Sequence, residues 1–282
     1  MPSFALRSAL ALLIVCGLAA SARADDANAP DETKPRREVG GHLWGISLAS
    51  SLDTAQGELP SLHVSFQDLL KHLSGGMMAN ARADVGEWSF DFDGTWAKLR
   101  GDNQSKTIRL GPRGGLDFGA ELKSEMSLWI LELNAGHQLF KLGSLFSRSD
   151  SDTRHVTGEI YVGARYWAFD PKFQVAVATP TRNLSVRIGD RTDWVDPTIG
   201  LRFGIDLSKT TAMHITGDVG GFNIGNWCSD FSWEQVTSIS WEFAEDWKTN
   251  IGYKFLDFHR DVNDVNARVQ LRGPFIALSY TF

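Results

Sequence analysis

Three shortages bound what this 282-residue chain can be. Cysteine is the first: Cys16 and Cys228 are the only two, and Cys16 lies inside an N-terminal apolar segment. With Cys228 alone beyond that segment, an intrachain disulfide is excluded even in an oxidising compartment, and no Cys/His cluster suits a structural zinc. Basic charge is the second, with 28 Lys+Arg against 34 Asp+Glu. The basic stripe that nucleic acid calls for is therefore missing. Long apolar runs are the third. After residue 24 no stretch of about 18 apolar residues occurs, so no bilayer-spanning helix is expected. Neither a Gly-x-Ser-x-Gly elbow nor a His-Glu-x-x-His pair is found, and no catalytic residue, metal ligand or cofactor is assigned.

What is present is alternation. In 211–222, Met213, Ile215 and Val219 oppose His214, Thr216 and Asp218. In 231–243, Phe231, Trp233, Ile239, Trp241 and Phe243 oppose Ser232, Glu234, Ser238 and Ser240. In 247–258, Trp247, Ile251, Tyr253 and Phe255 oppose Lys248, Asn250 and Lys254. A two-residue period held over about ten residues marks strands with one apolar and one polar face. A soluble sandwich and a membrane barrel both fit that pattern. The aromatics decide, because they sit at the ends of the apolar faces, where lipid-facing strands need interfacial girdles. The fold class expected is all-β: one up-and-down antiparallel transmembrane β-barrel.

The N-terminus divides in two. Residues 1–24 read as a cleaved signal peptide, with Arg7 before the apolar run 8–20 and a small-x-small site at Ala22-Arg23-Ala24. Val15 is too bulky for the position before a lipidated cysteine. Removing this leader takes the basic residues from 28 to 26 against an unchanged 34 acidic ones, so the net charge moves from −6 to −8. Residues 25–38 are charged, carry Pro30 and Pro35, and read as a disordered periplasmic lead-in. The barrel is assigned to 39–282.

Ten strands are expected, at 41–50, 75–85, 88–99, 116–140, 156–169, 194–207, 210–222, 230–243, 247–258 and 268–282, with eight or twelve as the alternatives. An even count leaves both ends and the short turns near 86, 209 and 245 on the periplasmic side. Leu69, Leu70 and Leu73 share a helical spacing, which suits either a cap on the rim or an interfacial turn. Two irregularities are expected. The apolar parity of 116–140 changes near Ile130-Leu131, favouring one bulged strand over two strands turning near Ser124. Leu271 and Ile276 are an odd number of residues apart, so a bulge is placed at Gly273-Pro274. That bulge leaves a terminal run ending on Phe282, which reads as an assembly signal.

Several segments resemble recurring ones in a family of mostly uncharacterised Gram-negative outer-membrane barrels, small and porin-like or surface-antigen-like. They are Gly163-Ala164-Arg165-Tyr166-Trp167, Asp193-Trp194-Val195-Asp196-Pro197-Thr198-Ile199-Gly200-Leu201-Arg202, Gly217-Asp218-Val219-Gly220-Gly221-Phe222 and Asp68-Leu69-Leu70-Lys71-His72-Leu73. The likeness covers roughly 63–282; Asn226-Trp227-Cys228 departs from it. It implies an outer-membrane location and a barrel, with no reaction or ligand attached.

On the polar faces lie Arg82, Asp91, Asp93, Glu132, Glu159, Arg165, Arg202, His214, Asp218, Glu234, Lys254 and Arg272. They are expected to line the lumen as paired charges, since an unpaired buried charge is costly. Arg165 and Arg202 should each find a carboxylate among Glu159, Asp196, Asp218 and Glu234. Trp88, Trp241, Phe243, Trp247 and Tyr280 are assigned to the periplasmic girdle, and Trp96, Phe231 and Trp233 to the outer one. The functional expectation is a structural or surface barrel with a largely filled lumen and no enzymatic activity. A narrow channel for small polar solutes is the alternative, and an outer-membrane hydrolase the more distant one. Outer-membrane lipid and the barrel-assembly machinery are the partners implied.

Overall fold

The computed structural model describes residues 35–54, 57–58, 62–101, 104–110, 116–143, 155–178, 183–262 and 265–282. The leader and most of the lead-in lie outside these residues. The chain forms β1 (Arg36–Trp44), β2 (Ser47–Thr54), β3 (Gly57–Glu58), β4 (Leu62–Val64), α1 (Phe66–His72), β5 (Leu73–Val85), β6 (Trp88–Arg100), β7 (Gln104–Leu110), β8 (Leu116–Gly143) and β9 (His155–Ala178). It continues with β10 (Asn183–Ile188), β11 (Thr192–Asp206), β12 (Thr211–Gly220), β13 (Phe231–Ala244), β14 (Trp247–Val262) and β15 (Val265–Thr281).

Ten of these close a ring of antiparallel neighbours in the order β1-β5-β6-β8-β9-β11-β12-β13-β14-β15, and β15 returns to β1. The strands assigned from alternation are these ten. β7 and β10 pair with the upper parts of β8 and β9, which run past the rim, while β2 continues the first strand along β15. Closure leaves no ring edge unpaired, as a spanning sheet requires.

Outward positions are exposed and apolar: Met77, Val85, Ile160, Val162, Val195, Ile199, Leu201, Phe203, Ile239, Ile251, Ile276 and Leu278. In a soluble sheet such residues would form the core; here they form the outer surface of a closed ring, which is the pattern of a lipid-facing wall. The lower turns are tight. Gly86 takes φ +61° between Val85 and Trp88, a conformation glycine adopts without steric cost.

Three expectations are corrected. The lead-in does not reach Glu38: Arg36, Arg37 and Glu38 already pair with β5, and Arg37 and Phe282 exchange backbone hydrogen bonds. Composition argued for disorder, but the closing seam supplies partners for these backbones, and Glu38 meets the Lys248 ammonium inside. Next, β8 is one strand of 28 residues, but its bulge lies between Gln138 and Phe140 and the ladder passes Ile130-Leu131 without a break. Last, β15 carries no bulge at Gly273-Pro274. Its ladder to β14 is continuous from Val265 to Tyr280, so Leu271 points inward and Arg272 outward. The proline instead interrupts the neighbouring strand. Pro274 has no N–H to donate, and β1 and β2 part at Gly45-Ile46 beside it, with the same register on either side. The Gly45 N–H still reaches the Pro274 carbonyl (2.8 Å), and the Trp44 indole donates to the Gly273 carbonyl (3.2 Å).

Helix α1 settles the question left by the leucine spacing. Ser65 caps it, accepting from the Asp68 N–H, and Leu69 packs against the apolar cluster inside the ring. The helix caps the rim and runs directly into β5.

Candidate functional site

The inward faces build three layers in the lumen. The lowest joins Arg82 of β5, Asp91 of β6, Glu159 of β9 and Arg202 of β11. Arg82 donates to Asp91 (3.0 Å), to Glu159 (2.9 Å) and to Asp84 (2.9 Å). Arg202 donates to Asp91 (3.0 Å) and to the other oxygen of Glu159. Each guanidinium therefore bridges both carboxylates, using the forked geometry that suits arginine to this task. The ring has to cross β8, and Gly136 makes room. A Cβ there would collide with the Glu159 carboxylate and the Ser89 hydroxyl, which are hydrogen-bonded to each other (2.8 Å).

Above it Arg165, 1% exposed, donates to Glu132 (3.0 Å) and to both oxygens of Asp218 (2.9 and 3.0 Å), and lies 3.3 Å from Glu234. Tyr161 also donates to Asp218 (3.1 Å). The Lys254 ammonium stands 3.0 Å from Glu234, 3.5 Å from Glu132 and 3.7 Å from Asp93. β8 and β14, which carry Glu132 and Lys254, are five places apart in the ring of ten, on opposite walls. A contact between them means that side chains fill the lumen from wall to wall at this height.

The third layer is apolar. Trp167, fully buried, packs on Phe258 (ring centroids 4.7 Å) and Trp194 (5.7 Å), and Trp194 packs on Phe258 (5.2 Å) and Phe169 (5.7 Å). Trp44, Ile46, Leu128, Ile130, Leu256 and Leu271 complete the cluster. Its polar atoms are tied down. Asp196 accepts from the Trp167 indole (2.9 Å) and the Ser229 N–H (2.6 Å), and the Trp194 indole donates to the Ser229 hydroxyl (2.8 Å). These bonds draw the β12–β13 loop against the mouth of the barrel, where Phe222 and Asn223 hold positive φ of 63° and 51°.

Of the twelve residues assigned to the lumen, ten belong to the two charged layers: Arg82, Asp91, Asp93, Glu132, Glu159, Arg165, Arg202, Asp218, Glu234 and Lys254. His214 is also inside but apart from both, bonded to the Ser240 hydroxyl (3.1 Å). Arg272 is corrected: it stands exposed on the outer wall, in phase with Ile276 and Leu278. Charge misassigned it, because an arginine was taken to face water in the lumen. The apolar layer was not foreseen, except that Trp167 falls on an inward position. Its members look like lipid-facing residues until the parity of each strand is fixed by its neighbours. The girdle residues Trp88, Phe231, Trp241, Phe243, Trp247 and Tyr280 are exposed on the outer wall, with Trp96 and Trp233 half-buried there. Trp247 and Tyr280 touch (5.1 Å), as do Trp241 and Phe243 (5.8 Å). Among the described residues no group of three or more His, Cys, Asp or Glu side chains is arranged to hold a metal.

No protein-family model matches the chain, and no curated protein matches it in sequence. Its likeness is to solved structures. The outer membrane protease OmpT from Escherichia coli superposes with a TM-score of 0.50 at 9% identity, over 91% of this chain and 99% of that one. At that identity the likeness shows the fold alone, an outer-membrane β-barrel. Neisserial surface protein A (11% identity, 86% and 96% covered, TM-score 0.26) and the toluene transporter TodX of P. putida (10%, 90% and 91%, 0.25) superpose too loosely to carry an argument.

Proposed function

We propose that this chain is an outer-membrane barrel of a Gram-negative bacterium whose lumen is shut and whose work is done at its outer surface. One observation carries the reading. The Lys254–Glu132 contact joins opposite walls directly beneath the Trp167–Phe258 contact, so a wall-to-wall polar layer lies under an apolar one. A permeating ion would have to break buried ion pairs and then cross an apolar layer whose Asp196 carboxylate is already held by Trp167 and Ser229. Each of those steps is costly. A polar pore would instead present charged rings to a water-filled path.

Planar-bilayer recording on the full mature chain tests this, with insertion confirmed independently by heat-modifiable gel mobility. Silence of the inserted wild-type protein is the expected result. Stepwise conductance would replace this reading with the narrow channel. A hydrolase gains little from the geometry. Among the acid–base candidates assigned to the lumen, His214 stands apart from the ion-pair layers and is bonded to Ser240, whose hydroxyl donates to the Ala212 carbonyl (3.3 Å). No carboxylate among the described residues orients that histidine, as a catalytic arrangement would require.

A further inference from the structure

Arg272 is a cation on a lipid-facing wall, and its setting is specific. Tyr280 marks the lower end of the apolar face of β15, and Arg272 lies eight residues up the same face. With a rise of about 3.4 Å per residue and a tilt of about 40°, that places it roughly 20 Å above Tyr280, near the top of a belt roughly 25 Å tall. A charge is tolerated there and penalised at mid-depth. Its neighbours across the sheet are aromatic. Phe255 is its register partner on β14, stacked near Tyr253 (4.8 Å) and Trp233 (6.5 Å). On the other side is Ser47, whose hydroxyl holds the Phe66 N–H (3.2 Å), and the Phe66 ring covers the outward side of Gly45 opposite Pro274. Tyr253, Phe255 and Phe66 are all exposed.

The carboxylate two residues above Phe255 on the same face is already engaged. Asp257, 4% exposed, accepts from Arg268 twice (3.0 and 3.2 Å) and from Gln270 (2.7 Å), all higher on the same face. Arg272 makes no hydrogen bond or ion pair with any described residue. We infer that Arg272, between Phe255 and Phe66, binds the phosphate of an anionic lipid of the outer leaflet, whose chains lie down the Tyr253–Pro274–Ile276 strip. A guanidinium matches a phosphate in a bidentate manner, and exposed rings beneath it give the acyl chains a flat apolar bed. The occupant is a lipid rather than a protein because the strip is continuous with the lipid-facing wall below.

Native mass spectrometry of the folded full-length barrel, released from detergent with added phosphatidylglycerol or phosphatidylcholine, tests the site. Wild type should retain one phosphatidylglycerol in preference to phosphatidylcholine. Arg272→Gln should lower that retention roughly tenfold, the loss of one charge-assisted bidentate contact. Phe255→Ala should lower it less, and Lys71→Gln, on the exposed face of α1, should leave it unchanged. Free inorganic phosphate should not compete. Equal retention by Arg272→Gln would overturn the site, and full competition by phosphate would reassign it to a free anion.

Discussion

Replacing Arg165 with methionine should be among the most damaging single changes this barrel can undergo. Among the described residues the guanidinium is the only cation touching Asp218, and it is shared with Glu132 and Glu234. Without it Lys254 still faces Glu132 and Glu234, but Asp218 keeps only the Tyr161 hydroxyl. Methionine preserves much of the aliphatic stem, so the packing loss is small beside the electrostatic one. Breaking a buried pair from one side costs about 3–5 kcal/mol, a fifth or more of a stability of about 5–15 kcal/mol. The converse change, Asp218→Asn, leaves Arg165 with two carboxylates and should cost only about 1–3 kcal/mol. Combined, the two should cost less than their sum by about 1–3 kcal/mol, because asparagine removes the charge that the first change strands. Urea unfolding in lipid vesicles, followed by tryptophan fluorescence, reads all four corners of the cycle, since Trp167 and Trp194 lie in the adjoining layer. An Arg165→Met barrel with the wild-type midpoint and slope would refute the pairing, and so would a strictly additive cycle.

Three further outcomes are expected. Gly136→Ala should push the Glu159 carboxylate and Ser89 apart, costing about 1–3 kcal/mol by overpacking, seen as a lower temperature of gel-mobility shift. The Cys228 thiol is buried, accepting from the Ile224 N–H (3.1 Å), so a thiol reagent should label it at the rate of unfolding; immediate labelling of the folded barrel would show the loop detached from the rim. At α1, the Ser65 hydroxyl and then Lys71 hold the Asp68 carboxyl below its ordinary value. A depressed folded-state value means the contribution is present at neutral pH and fades as pH falls through it. Ser65→Ala should raise the titration midpoint of Asp68, followed by its carboxyl carbon shift in NMR, and an unmoved midpoint would remove that hydroxyl as the cause.

The strands were legible because alternation needs no knowledge of which face is which. On several strands with one polar face, the facing was legible too. On β9, Ile160, Val162 and Tyr166 point out while Glu159, Tyr161, Arg165 and Trp167 point in, and on β11 Val195, Ile199 and Leu201 oppose Asp196, Thr198 and Arg202. The ion-pair partners followed from the same parity: Arg165 finds Asp218 and Glu234, and Arg202 finds Glu159. What could not be read was the height at which the lumen stops being polar. Leu128, Trp129, Ile130 and Leu131 are four apolar residues in succession, and such a run has no period. A bulge near Ile130-Leu131 would keep Leu116, Phe118 and Leu122 on one face with Leu131 and Leu133, whereas the protein runs through without a break, turning Leu128 and Ile130 into the lumen and leaving Trp129 and Leu131 outside.

β15 shows the same failure from the charged side, and it exposes the assumption behind both. Reading Arg272 as inward and Leu271 as outward treats the lumen as uniformly wet and the wall as uniformly oily. A ring of ten strands is narrow enough for opposite walls to touch, so its interior obeys the packing rules of a protein core. Leucine and tryptophan are admitted there as readily as paired charges. The wall, for its part, ends in an interface where arginine is at home. The residue that could have decided the matter is Pro274. Its missing N–H has to be accommodated by a neighbouring ladder, and an extra residue in β15 is only one way to do so. A break in the facing strand, flanked by Gly45 and supported by the Trp44 indole, leaves β15 in phase from Val265 to Tyr280. Once the phase is unbroken, the lipid-facing side of Tyr280, Leu278 and Ile276 runs on through Pro274 to Arg272, and Leu271 must lie inside.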